Sequence, residues 1–275
     1  MDILRCSACG GPMIAWLDTW RGMISRCGTE GCRLAIVKTQ PTDAELKKFY
    51  NELYYGGATK ELIPIRYENM DAHIAEQHYR AIDKIIGLRG KRILDFGCGI
   101  GNFIKTSLVN GASDAVGVEL NEQARAVAGE RGLEVVPDIN SLAGQRFDFA
   151  YLNDSIEHLR DPVATCRAIN ELLKPGGAIF ISTPNSIGLK ARLLGSRWDE
   201  FRNPTHLFFF TLPSLSAILE KANFRDMKKL NFPVDFSHHG WIRSGLQRVL
   251  VASGLDSSIK MMAVKASKYD KQIVD

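Results

Sequence analysis

Four of the six cysteines in this 275-residue sequence stand near its start, in two close pairs. Cys6-Ser7-Ala8-Cys9 is a CxxC knuckle running into Gly10-Gly11, and Cys27 and Cys32 follow with Gly28 and Gly31 between them. Two pairs on two hairpin tips can bring four thiolates to one tetrahedral point, the donor set and geometry that structural zinc prefers. The glycines let backbone N–H groups approach the sulfurs. A segment of roughly 40 residues buries too little apolar surface to fold by itself, so a metal would supply the missing stability. Residues 1–38 therefore read as a zinc ribbon with ligands Cys6, Cys9, Cys27 and Cys32. A site closed by four cysteines leaves no open position and is structural, not catalytic. Cys166 lies on the apolar face of a predicted helix and reads as core. Cys98 sits inside a glycine loop, where a small residue is needed.

That loop is the second constellation. A short apolar strand, Lys91 to Phe96, runs into Gly97-Cys98-Gly99-Ile100-Gly101-Asn102, and Phe103 to Val109 continues as a helix. Strand, glycine loop and helix form the first turn of a nucleotide-type α/β fold, in which glycines admit a ligand close to the backbone and the helix start offers free N–H groups. The dinucleotide fingerprint is G-x-G-x-x-G; here the third glycine comes one place early, which disfavours a nicotinamide oxidoreductase. Asp95 stands two places before Gly97, placed to hold an ammonium directly or through water. The next strand, Ala115 to Leu120, ends in Glu119, whose carboxylate can accept from both hydroxyls of a ribose. Val135 to Ile139 would bring Asp138 to an adenine edge and Ile139 against its ring. A nucleoside with a methionine-like tail fits this set: S-adenosylmethionine (SAM).

The elements that position these residues follow in order. Phe147 to Leu152 is a fourth strand, and Asn153-Asp154-Ser155-Ile156-Glu157-His158-Leu159 follows its carboxyl end, where open α/β sheets bind ligands. Asp161-Pro162 starts a helix with Val163, Cys166, Ile169, Leu172 and Leu173 inward. Lys174 to Gly177 makes a turn, and Ala178 to Thr183 is a fifth strand. Upstream, Pro41-Thr42-Asp43 opens a connector helix with Leu46, Phe49, Tyr50 and Leu53 on one face. Ala75, Tyr79, Ile82 and Ile86 mark a helix over 70–87.

Ile93–Phe103, Glu119, Asp154–Leu159 and Leu172–Asn185 together resemble the ordered motifs of class I SAM-dependent methyltransferases, with the Glu157-His158-Leu159 subset similar to ubiquinone-biosynthesis-type enzymes. The N-terminal cysteine pairs followed by Phe49-Tyr50 and Tyr54-Tyr55 resemble a bacterial subgroup that joins a zinc ribbon to this domain, some members methylating sugars or other small metabolites. The resemblance implies a Rossmann-like α/β fold with a seven-stranded sheet in order 3-2-1-4-5-7-6, helices on both faces and the last strand antiparallel. Phe224–Leu230 and Ile259–Ala266 suit strands six and seven. The expected organisation is a ribbon over 1–38, a helical connector over 39–69 and a methyltransferase domain over 70–275, with lid or acceptor segments near 186–212 and 231–257. Cofactor contacts are expected from Asp95, Gly97, Cys98, Gly99, Gly101, Glu119, Leu120, Asp138, Ile139, Asn153, Asp154 and Ser155.

Methyl transfer from a sulfonium is an in-line displacement, and a hydroxyl or carbon-acid acceptor must also lose a proton. Two histidines compete as base. His158 follows strand four and reads more readily as a packing or cofactor contact. His206 lies in the aromatic, charged segment Trp198–Thr211, which resembles the stretch where related sugar C-methyltransferases carry a base histidine; its alternative is a loop anchor. Those relatives continue into a further C-terminal domain with no counterpart here, so an oxygen acceptor is as open as carbon. His238 and His239 beside Trp241, and Arg192, Arg197 and Arg202, are weaker acceptor-side candidates.

Composition bounds the partners. Hydrophobic residues make up 45% and charged residues 24%, the balance of a globular chain. A net charge of +4 and scattered arginines in the ribbon do not ask for nucleic acid. No long apolar run suggests a membrane span, and the start lacks a signal-peptide pattern, so a cytoplasmic location is expected. The favoured reading is a small-molecule methyltransferase with SAM and structural zinc. The alternatives are an RNA or protein methyltransferase using the ribbon for recognition, and a non-catalytic SAM-binding protein.

Overall fold

A computed structural model describes residues 5–20, 22–49, 62–232 and 255–266. The cysteine-rich start forms β1 (Met13–Thr19), β2 (Gly22–Cys27) and β3 (Ala35–Val37), an antiparallel meander. Helix α1 (Asp43–Phe49) starts where the sequence predicts: Thr42 Oγ1 accepts from the Glu45 N–H, and Glu45 Oε2 accepts from the Thr42 N–H, a reciprocal cap. Tyr50, Leu53, Tyr54 and Tyr55 lie outside the described residues.

Helix α2 (Leu62–Ile86) begins earlier than the predicted residue 70. Ala75, Tyr79 and Ile82 are buried along it as the periodicity requires. The main sheet then builds from β4 (Arg92–Phe96), α3 (Asn102–Val109), β5 (Asp114–Val118), α4 (Glu122–Glu130), β6 (Glu134–Val136), β7 (Phe147–Asn153), α5 (Pro162–Leu172) and β8 (Leu173–Pro184). After α6 (Leu189–Leu194), α7 (Asp199–Arg202), β9 (Phe208–Phe209) and α8 (Leu212–Lys221), it closes with β10 (Phe224–Lys229) and β11 (Ser258–Lys265).

The seven-stranded sheet runs β10-β11-β8-β7-β4-β5-β6. With its own strands counted from β4, that is 3-2-1-4-5-7-6 read from the other edge, as expected. β4 to β8 are parallel, and β11 lies antiparallel to both β8 and β10. Buried on both faces, the central strands read as near-continuous apolar runs, with Phe147, Phe149 and Phe180 fully enclosed. The predicted turn Lys174–Gly177 is a bulge inside β8, where the pairing with β7 shifts register and Gly176 takes φ 74°. Cys166 is wholly buried, as expected.

A second sheet, β1-β2-β3-β9, links the start of the chain to its later part. Its fourth strand comes from the segment after β8: Ala35 pairs with Phe209 and Ile36 with Phe208. Trp198, Phe201 and Phe209 pack with Ile24, Ala35 and Val37 of β2 and β3, because β3 offers an apolar edge that two extended phenylalanines can complete. Among the described residues, no helix is long and apolar enough to cross a membrane.

Candidate cofactor and acceptor site

The glycine loop sits at the carboxyl end of β4. Gly97, Gly99 and Gly101 have φ of 77°, 54° and 81°, conformations that a side chain would strain. At Gly97 a Cβ would also stand 2.3 Å from Ser155 Oγ, so the turn after β7 packs directly on the loop. Gly117 on β5 is needed for a different reason: a Cβ there would meet Cys98 Sγ at 2.4 Å and Ile104 Cδ1 at 2.7 Å. The small residue expected at Cys98 thus faces a strand glycine.

Two acids flank this loop. Asp95 is buried, and burial, with the negative charge of Glu119 adding, pushes its carboxyl well above the usual range. Glu119 is held at both oxygens: Oε2 accepts the Gly99 N–H at 3.0 Å and Oε1 the Asn121 N–H at 2.7 Å. Burial still outweighs those bonds and raises it. Asn153, Asp154 and Ser155 follow at the end of the neighbouring strand β7. Asp154 takes a left-handed φ of 46° and donates its N–H to the Ser182 carbonyl at 2.9 Å. Hemmed in by protein although open to solvent, Asp154 is pushed up to about 6, the charge of Asp71 adding to burial.

The remaining predicted contacts lie at the rim. Asp138, exposed at the end of β6, caps a short turn by accepting the Asn140 N–H at 2.7 Å, with half-buried Ile139 beside it. Leu120 is 79% exposed.

On the other side of Ser155 stands a polar cluster. His158 and His206, distant in sequence, meet edge to face with ring centres 4.6 Å apart. His158 hydrogen-bonds the Thr205 carbonyl through Nδ1 at 3.0 Å, and burial lowers it to about 4, so it is neutral. Glu157 accepts from Thr183 Oγ1 at 2.9 Å, and one of its carboxylate oxygens lies within 4.8 Å of a ring nitrogen of each histidine. His206 is 4% exposed, with Nε2 3.0 Å from Asn203 Nδ2 and Nδ1 3.4 Å from Glu200 Oε2. Burial, then the charges of Asp154 and Asp199, lift Glu200 to about 7.

Sequence reasoning missed Glu200: no spacing rule links it to His206, and only the short helix α7 brings the two together. It missed His78 as well. That residue is buried on α2, bonded through Nδ1 to Tyr151 Oη at 2.7 Å, and burial lowers it to about 3. Its place in the Ala75–Ile82 stripe gives it no signal beyond core.

The four N-terminal cysteines converge. Cys6 Sγ lies 3.7 Å from Cys32 Sγ and Cys9 Sγ 3.4 Å from Cys27 Sγ, with all four sulfurs within 4.8 Å of one another. Thiolates around zinc at about 2.3 Å stand about 3.8 Å apart, so the donor set fits a tetrahedral ion. Arg192 donates to the Ile187 carbonyl, whereas Arg197 and Arg202 line a shallow cleft of about 430 Å³ with Trp20. His238 and His239 lie outside the described residues.

A family model described as a methyltransferase domain matches residues 68–229. The chain belongs to that family and is a class I SAM-dependent methyltransferase. Curated relatives include the ubiquinone biosynthesis O-methyltransferase of Pseudomonas aeruginosa (strain UCBPP-PA14), 33% identical over 114 residues, covering 38% of this chain and 49% of that protein. The enzyme of the same name from Nitrosospira multiformis is 36% identical over 114 residues, covering 38% and 47%. The methyltransferase thus spans about half the length of the curated relatives it matches. Among solved structures, phosphoethanolamine N-methyltransferase 2 of Haemonchus contortus superposes with TM-score 0.62 at 19% identity, covering 85% of this chain and 62% of that one. A SAM-dependent methyltransferase from Mesorhizobium loti gives 0.54 at 20%, covering 69% and 98%. These likenesses show the fold, and SAM is the cofactor of this methyltransferase.

Proposed function

We propose that this methyltransferase acts on a small-molecule acceptor, a sugar, glycan precursor or secondary metabolite, at oxygen or carbon, and that its four cysteines hold a structural zinc. The observation that carries the reading is the pairing of β3 with β9. The ribbon's edge is spent on the segment that holds His206, which argues against a ribbon kept for gripping RNA or protein.

Asp95 and Glu119 are the natural partners of the cofactor's amino-acid tail and ribose. The charge of Glu119 raises the cost of ionising Asp95, and a cationic ligand relieves it. The glycine loop and the turn Asn153–Ser155 wall the tail; Asp138 and Ile139 take the adenine edge, with Leu120 at the rim. Bound SAM supplies an electrophilic methyl on a sulfonium. That methyl would pass to the acceptor atom with S-adenosylhomocysteine leaving, and the chain's own part is to align the acceptor and take its proton.

The Glu200–His206 pair receives that proton. His206 is enclosed, so Glu200, whose side chain is 36% exposed, is the accessible member and His206 backs it. His158, neutral and bonded to the Thr205 carbonyl, positions the loop.

Calorimetric titration with S-adenosylhomocysteine, with NADH in parallel and zinc measured on the same sample, tests the binding half. One product molecule and about one zinc per chain are expected. An acceptor screen with radiolabelled SAM, repeated with His206→Ala, tests the chemistry; turnover on RNA or protein but on no small molecule would overturn the proposal.

A further inference from the structure

The ribbon and the His206 segment are tied at several points. The Val37 N–H donates to the Leu207 carbonyl at 3.1 Å, one residue beyond His206. Thr211 Oγ1 donates to the carbonyl of Cys32, itself one of the four converging cysteines, at 2.5 Å. Lys221 Nζ donates to the Ser7 carbonyl inside the first knuckle at 2.7 Å. Trp16 of β1 meets Phe201 edge to face at 5.3 Å, and Phe201 meets Phe209 at 4.9 Å. Phe201 is the neighbour of Glu200.

None of the strands that pair here is long: β3 has three residues and β9 two. Strands so short do not hold register by themselves, because the few hydrogen bonds formed do not repay the ordering of the chain. Something must fix β3 first. The cysteines are placed to do so, with Cys27 closing the neighbouring β2 and Cys32 leading into β3. The glycine loop is held from within the main sheet: Glu119 by Gly99 and Asn121, and Asp95 in β4.

We propose that the four-cysteine module is a positioning element of the acceptor site: a metal ion on Cys6, Cys9, Cys27 and Cys32 sets β3, and β3 with Thr211 sets Glu200 and His206. Cofactor binding is independent of it. The inference rests on the reading of Glu200 and His206 as the acceptor side.

The test uses the full chain, stripped of metal by a chelator and reloaded with zinc. Metal removal leaves the S-adenosylhomocysteine affinity within about threefold, while amide exchange at Val37 and over residues 206–210 speeds at least about tenfold and recovers with zinc. By reciprocity, loosening the loop loosens the metal. Thr211→Val therefore releases zinc to a chelating dye several-fold faster. Thr211→Ser restores the slow rate, and Ser214→Ala, which removes the other half of the α8 cap but leaves the Thr211 hydroxyl to the Cys32 carbonyl, leaves it slow. Unchanged exchange in metal-free chain that still binds S-adenosylhomocysteine would overturn the positioning role and leave the SAM reading standing. Loss of that binding on metal removal would overturn it too, since the metal would then support the whole fold. A chain that takes up no zinc would remove the metal site itself.

Discussion

Glu200 Oε2 stands 3.4 Å from His206 Nδ1, across the short bend between α7 and β9. The pair joins an enclosed imidazole to a carboxylate that water can reach, and it lies beside the turn that touches the glycine loop.

This pair gives the methyltransferase a pH signature. Burial and the charges of Asp154 and Asp199 raise Glu200 to about 7, so it is protonated below that pH and ionised above. A base must be ionised, so kcat rises with pH through about 7. Glu200→Gln abolishes that limb, and His206→Ala lowers kcat by roughly 10²–10⁴-fold. Both variants keep their affinity for S-adenosylhomocysteine, measured by calorimetry alongside the rate profile.

Glu119 is expected to discriminate the cofactor's ribose. Removing a charged acceptor from a ligand's hydroxyls costs about 1.5–3 kcal/mol. Glu119→Ala should weaken S-adenosylhomocysteine about 10–100-fold, with far less effect on the melting temperature; unchanged affinity would mean that the ribose lies elsewhere.

Gly117→Ala tests the cofactor strand's tight approach. A new methyl 2.4 Å from Cys98 Sγ must displace the loop or the strand. Overpacking of this kind costs about 1–3 kcal/mol, read by denaturant titration. The double variant with Cys98→Ala should recover part of the loss.

His78 makes a prediction for acid stability. Its ring is held near 3 in the folded chain against 6.5 when free, chiefly by burial, with Lys260 adding. Between those values the unfolded chain binds the extra proton. Its contribution is therefore complete above about 6.5 and declines as pH falls, by about 1.4 kcal/mol per pH unit well below 6.5. His78→Phe should flatten that decline in urea titrations run from pH 7 to pH 5. A parallel decline in both proteins would show that His78 is not the group responsible.

The parts of this methyltransferase that were legible in its sequence are those encoded locally. The strand-loop-helix at Gly97–Gly101, the acid ending β5, the inward face of α5 and the paired cysteines each depend on spacing within a few residues. Short-range geometry then has few solutions: an apolar run between turn residues becomes a buried strand, and the right-handed crossover rule orders the parallel strands. The start of α2 and the bulge at Lys174–Gly177 were less legible because backbone context moves such boundaries at little cost.

Only the tertiary structure decided that the aromatic segment after β8 turns toward β1–β3, that β9 completes their sheet, and that Glu200 and His206 meet. Those outcomes depend on which exposed edge a two-residue strand finds, and on burial that no window of sequence contains. Ala35 and Phe209 lie far apart in sequence, so the partner of each is chosen by the whole folded chain.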